Sequence, residues 1–148
     1  MSPTTDATLL AFDFGARRIG VALGTVRLQS ARPLTTIESE QADVRFGAIA
    51  ALVAEWQPQA LVVGLPVHAD GTPHSTTARA ERFARQLHGR FGLPVFLVDE
   101  RHTTALAKTA LRDEGRGGRA HRAARDSMAA QIILQAYLDS PHDAQPVA

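Results

Sequence analysis

The sequence predicts a single α/β domain: a mixed five-stranded sheet, its second strand antiparallel, with helices on both faces in the order β-β-β-α-β-α-β-α-α. Three observations carry that expectation. Two apolar runs near the start, Leu9 to Asp13 and Ile19 to Gly24, are joined through Gly15-Ala16-Arg17-Arg18, which is room for a hairpin and not for a crossover. Two later runs, Ala60 to Gly64 and Val95 to Val98, each follow a segment of helical spacing, as parallel strands with helical crossovers do. The length of 148 residues suits one domain, and no repeat or long linker divides it.

The elements follow in order. After the hairpin, Ala31 to Ile37 reads as an edge strand, because Pro33 near its start has no N–H for a ladder bond. Ala42 to Trp56 places Val44, Ile49, Leu52, Val53 and Trp56 at mostly helical spacings, and Pro58 stops it. Ala60 to Gly64 is apolar throughout, as a strand covered on both faces requires. Beyond a loop with Asp70-Gly71-Thr72-Pro73, Thr76 or Thr77 can cap a helix with Ala80, Phe83, Ala84 and Leu87 on its inner face, closed by Gly92 and Pro94. Val95 to Val98 leads into Asp99-Glu100-Arg101 and a helix from about Thr103 to Leu111. Gly115 to Gly118 interrupts the chain. A last helix is expected from about Ala120 to Leu138, with Met128, Ile132, Leu134 and Tyr137 apolar and Ser140-Pro141 ending it. The expected organisation is a flexible start over 1–8, the domain over 9–139 and a flexible tail over 140–148.

Composition excludes several classes of function. Without cysteine there is neither a disulfide nor a thiolate zinc site, which fits a reducing compartment. The first residues carry no basic signal region, and no apolar run approaches the ~18 residues that span a bilayer. The expectation is a soluble, cytoplasmic protein with no membrane partner. A net charge of +1 is too mild to mark a nucleic-acid binder by itself, so any such surface must be local. Aromatic residues make up only 5% of the chain, which argues against a surface that stacks many bases.

Asp13 ends the first apolar run, where a carboxylate either shapes the turn or presents oxygen ligands. Helical crossovers make the first strand parallel to those at Ala60 and Val95, and ligands collect at the carboxyl ends of such strands. Asp13, the loop after Gly64, and Glu100 with Asp99 beside it are therefore expected on one edge. Asp126, near the start of the last helix, reaches that edge if the helix packs across the end of the sheet. Hard oxygen donors select magnesium or manganese, and a pair of such ions roughly 4 Å apart activates water and stabilises the leaving oxygen of a phosphodiester. In that scheme Asp13 holds or bridges the metals, Glu100 ligates one and orients water, and Asp126 completes the shell.

Asp13-Phe14-Gly15 with Arg18-Ile19-Gly20-Val21-Ala22, Val62-Val63-Gly64-Leu65-Pro66, Asp70-Gly71-Thr72, Asp99-Glu100-Arg101 with Thr103-Thr104, and Asp126 with Ala129-Ala130, Ile133-Leu134-Gln135 and Tyr137-Leu138-Asp139 resemble the RuvX/YqgF family. The blocks run from Asp13 to Asp139. The resemblance implies an RNase H-like fold and a metal-dependent nuclease, described for the family as processing pre-16S ribosomal RNA and also as resolving Holliday junctions. It places the family's acidic positions on Asp13, Glu100 and Asp126, and this is mainly what favours Glu100 over Asp99. Implied with it are Mg2+ or Mn2+, precursor rRNA or branched DNA as nucleic-acid partner, and room for a ribosomal or other protein partner. The chain departs from the family at His68, where asparagine is usual, and at His102, where leucine is usual. The family's lysine-rich segment before Asp126 is replaced by arginines.

Arg112, Arg116, Arg119, Arg122 and Arg125 stand against Asp113 and Glu114, a local charge of +3 beside Asp126. Such a run is commonly a solvated face, but its glycine-rich setting suits phosphate contact by bidentate guanidinium groups. Arg17, Arg18 and Arg101 join it as expected nucleic-acid contacts; for the hairpin arginines the competing role is to pair with an acid and fix the turn. Two other classes share these features. The turn at Asp13 also resembles the phosphate hairpin of actin-like ATPases and sugar kinases, which need two such domains. The other class is a non-catalytic nucleic-acid or ribosome-binding adaptor.

Overall fold

The computed structural model describes residues 7–66, 76–100 and 119–147, with side chains of the last stretch described from 123 onward. Its elements are β1 (Thr8–Phe14), β2 (Arg18–Thr25), β3 (Ser30–Glu38), α1 (Ala42–Trp56), β4 (Ala60–Leu65), α2 (Thr77–Phe91), β5 (Val95–Asp99), α3 (Arg119–Asp139), a 3-10 turn (Pro141–Asp143) and β6 (Gln145–Pro146). The strands form one sheet in the order β3-β2-β1-β4-β5-β6. β1 pairs antiparallel with β2 and parallel with β4, and β4 pairs parallel with β5. The helix expected from Thr103, the turn at Asp70 and the residues His68 and His102 lie outside the described residues.

The sheet has six strands where five were expected, and the sixth comes from the stretch read as a tail. Pro141 at the start of the 3-10 turn supplies a helical φ, and the chain then runs antiparallel to β5, with Val147 donating its N–H to Val95 O at 2.8 Å. A two-residue strand has no periodicity to read. What holds it is the outer edge of β5, whose backbone groups require partners.

Side-chain alternation divides the core into two layers. Leu10, Phe12, Ile19, Val21, Leu61, Val63 and Val95 face α1 and α2, where Phe46, Ile49, Phe83, Ala84 and Leu87 cover them. Leu9, Ala11, Ala22, Ala60, Val62 and Val98 face α3, which buries Ala130, Ile133, Leu134, Tyr137 and Leu138 against them. Met128 and Ile132, expected on that stripe, are only half-buried. In α1 the expected apolar position Val44 is 48% exposed, and its neighbour Arg45 is buried instead. The cause is Phe14, over whose ring the Arg45 guanidinium lies at 5.2 Å.

β3 is the outer strand on the other side, as Pro33 implied. Pro33 faces Ala22 and Thr35 faces Val21, so Leu34 is the extra residue of a bulge. Two glutamines of α3 close over this strand: Gln135 Oε1 accepts the Ala31 N–H at 3.1 Å, and Gln131 Nε2 donates to Ala31 O at 2.9 Å.

Candidate active site

Asp13 is the sixth residue of β1, and alternation from Leu9 and Ala11 puts its side chain on the face that α3 covers. Gly20 lies directly across the β1–β2 ladder from it. That position has to be glycine, because a β-carbon there would overlap the carbonyl oxygen of Asp126. The backbone of α3 thus rests on β2 at the level of Asp13, which brings Asp126 to the carboxyl end of β1. The helix was expected to pack across the end of the sheet; it lies instead along one face, and its first turns reach the carboxyl end of β1.

Glu100 follows β5 and is 6% exposed; its N–H donates to Leu65 O at 3.1 Å, extending the β4–β5 ladder by one step. A β-carbon at Gly64 would meet the Glu100 Cγ and Cδ at 2.8 Å, so the glutamate side chain folds over this glycine, on the α3 face. Asp99 is exposed and, by alternation, points to the other face. Asp13, Glu100 and Asp126 therefore share one face at one end of the sheet, and Asp99 does not.

Asp126 is already engaged. Arg18 Nε donates to its Oδ2 at 2.6 Å, with the two side chains 25% and 19% exposed. Among the described residues no group of three or more His, Cys, Asp or Glu side chains is gathered closely enough to hold a metal ion. The donor chemistry fits a hard divalent cation, since all three are carboxylates, two of them anchored at the ends of parallel strands of one sheet. A metal ion at Asp126 would share or contest with Arg18 the carboxylate whose Oδ2 that arginine holds.

Of the arginines read as nucleic-acid contacts, Arg17 is exposed in the hairpin turn, Arg125 is half-buried on α3, and Arg18 takes the pairing role. Arg101 and Arg116 lie outside the described residues, and Arg119 and Arg122 are described only by their place in the first turn of α3. Sequence reading passed over the two glycines that make room for the acids. Gly20 and Gly64 carry a signal nonetheless: each breaks an apolar run expected to be a strand, where a close approach of another chain segment is a usual reason.

Among known proteins, the sequence profile of the family described as "RuvX: Holliday junction resolvase" matches residues 7–140. A relative from Burkholderia multivorans, named "Putative pre-16S rRNA nuclease", is 52% identical over 141 residues, 95% of each chain. A relative from Dechloromonas aromatica with the same name is 54% identical over 139 residues, 94% of this chain and 95% of its own. Among solved structures, T. thermophilus RuvC in complex with a Holliday junction substrate superposes with a TM-score of 0.55 at 18% identity, covering 95% of this chain and 99% of that one. At that identity the superposition speaks for the fold alone, which is RNase H-like as the resemblance implied. The profile spans β1 to α3 with all three acidic positions, and relatives more than half identical match over nearly their full length: the chain belongs to the RuvX family.

Proposed function

We propose that this chain is a cytoplasmic endonuclease that hydrolyses nucleic-acid phosphodiesters with magnesium or manganese, precursor 16S rRNA being its substrate. The observation that carries the reading is the convergence of Asp13, Glu100 and Asp126 on one face at one end of the sheet. The substrate class is supported by the names of the two relatives. Asp13 and Glu100 would hold the ion from the ends of parallel strands, and Asp126 would join them from α3. When bound, the ion supplies Lewis-acid polarisation of water and of the phosphoryl oxygen, and a charge sink for the leaving group.

The remaining work belongs to the protein. Glu100, buried against Gly64, would ligate one ion and orient the attacking water from the sheet edge. Arg18 is placed to take charge from Asp126 or, once displaced, from a phosphate oxygen. The family description favours a second substrate, branched DNA.

The test is a side-by-side cleavage assay of the purified protein on precursor rRNA and on four-way DNA junctions, with Asp13→Asn as control. Cleavage of the precursor RNA by the wild type, and a loss of at least a thousandfold in Asp13→Asn, is expected. An Asp13→Asn protein that cuts as well as wild type ends the mechanism, and cutting of the junction alone transfers the assignment to DNA.

A further inference from the structure

The face of the sheet away from α3 carries a cleft of about 240 Å³, lined by Arg45, Arg79 and Arg82 with the rings of Phe14, Phe46 and Phe83. Glu40 is the one acid among the described lining residues, which together carry a charge of +2. Arg45 is 7% exposed; its Nη2 donates to Gly15 O, while its Nε, also buried, has no hydrogen-bond partner among the described residues. Arg79 lies over the Phe14 ring as well, 5.8 Å from its centre, so two guanidinium groups share one ring. Burial first, and then the charge of Arg79, hold Arg45 below the usual arginine range. α2 has no acid in its first turn, and Arg79 and Arg82 follow one another on the side of the helix that lines the cleft.

Crowding cations around a buried, half-satisfied guanidinium is unfavourable unless an anion comes between them. The place of the cleft says which anion. Phe14 follows Asp13 in β1, and successive side chains of a strand point to opposite faces. A polynucleotide crossing the carboxyl edge of the sheet therefore meets the acids on one side and this cleft on the other. We propose that the cleft grips a backbone phosphate of the bound polynucleotide beside the bond to be cut, with Arg79 and Arg82 on its oxygens and the Phe14 ring beneath the adjoining sugar or base. The proposal rests on the reading of the acidic edge as a polynucleotide-cutting site, and assigns that site its grip on the substrate.

Binding can be read without cleavage. In an Asp13→Asn background, the affinity for a short fluorescent single-stranded RNA is measured by anisotropy across a salt series, with Arg79→Gln/Arg82→Gln compared to Arg85→Gln. Arg85 is exposed on the same helix and does not line the cleft. The double variant is expected to bind about tenfold more weakly, with the slope of log affinity against log salt reduced by about 0.7, the value for one single-strand phosphate left without its arginines. Arg85→Gln should stay within about twofold of its parent. Equal affinity in the double variant overturns the proposal, and so does an equal weakening in Arg85→Gln, which would mean undirected charge. A nucleoside monophosphate that displaces the RNA at comparable concentration would make the cleft a free-nucleotide pocket and overturn the backbone assignment. These anisotropy results stand whether or not the wild type cleaves, so failure of the cleft and failure of the nuclease reading are separately visible.

Discussion

Asp99 and Glu100 are neighbours in sequence, yet the pleat sends one carboxylate into solvent and folds the other over Gly64 onto the face shared with Asp13. Asp126 reaches the same face because Gly20 lets the backbone of α3 touch β2. Two substitutions probe this arrangement. Gly20→Ala should destabilise the protein by about 3 kcal/mol, since the added carbon meets backbone and not a flexible side chain; denaturant unfolding reads it directly. Arg18→Met should cost only about 1 kcal/mol, because the ion pair is partly solvent-exposed. It should also lower the manganese concentration that gives half the thermal shift, since the metal no longer competes with a guanidinium for Asp126; an unchanged or higher concentration counts against Asp126 as a ligand. Asp13 was legible from sequence as an acid at a strand end. The choice between Asp99 and Glu100 was not, because the parity of a short strand depends on which face a distant helix covers.

At the level of elements, strongly patterned segments were the readable ones. The hairpin, the helices from Ala42 and Thr77 and the buried strands at Ala60 and Val95 begin and end within a residue or two of where apolar runs, prolines and glycines place them. What escaped was decided by contact and not by pattern: Arg45 in place of Val44 on the buried side of α1, and a two-residue strand that exists only because β5 offers an unpaired edge. Removing residues 140–148 tests the second case. It uncovers that edge and takes Val147 off the core, where it packs half-buried, so a loss of about 1.5 kcal/mol is expected in thermal or urea unfolding. A truncated chain as stable as the full one would show that β6 contributes nothing.

For the molecule as a whole, the acidic edge and the sheet that carries it predict a thermal response to divalent ions. At a hundred times the dissociation constant, magnesium or manganese should add about 2.7 kcal/mol to the wild type and much less to Asp13→Asn. An adaptor with a silent site would show no difference between the two. The fold class was legible because a hairpin followed by helical crossovers leaves few arrangements of strands. The site was legible only in outline, because its assembly depends on where α3 lies, and that is fixed by glycines whose purpose appears only when the helix is in place.

The outer strand of the sheet has a consequence for how copies of this protein behave at high concentration. An open strand edge is a template on which another chain can add, and sheets with such edges tend to aggregate. Here the backbone groups of Ala31 are taken up by Gln131 and Gln135, and the next outward-facing position is Pro33, which has no N–H to offer, followed by the kink at Leu34. These features oppose strand addition along the first half of this edge. Replacing Pro33 with valine should leave the fold intact and raise light scattering in concentrated solution.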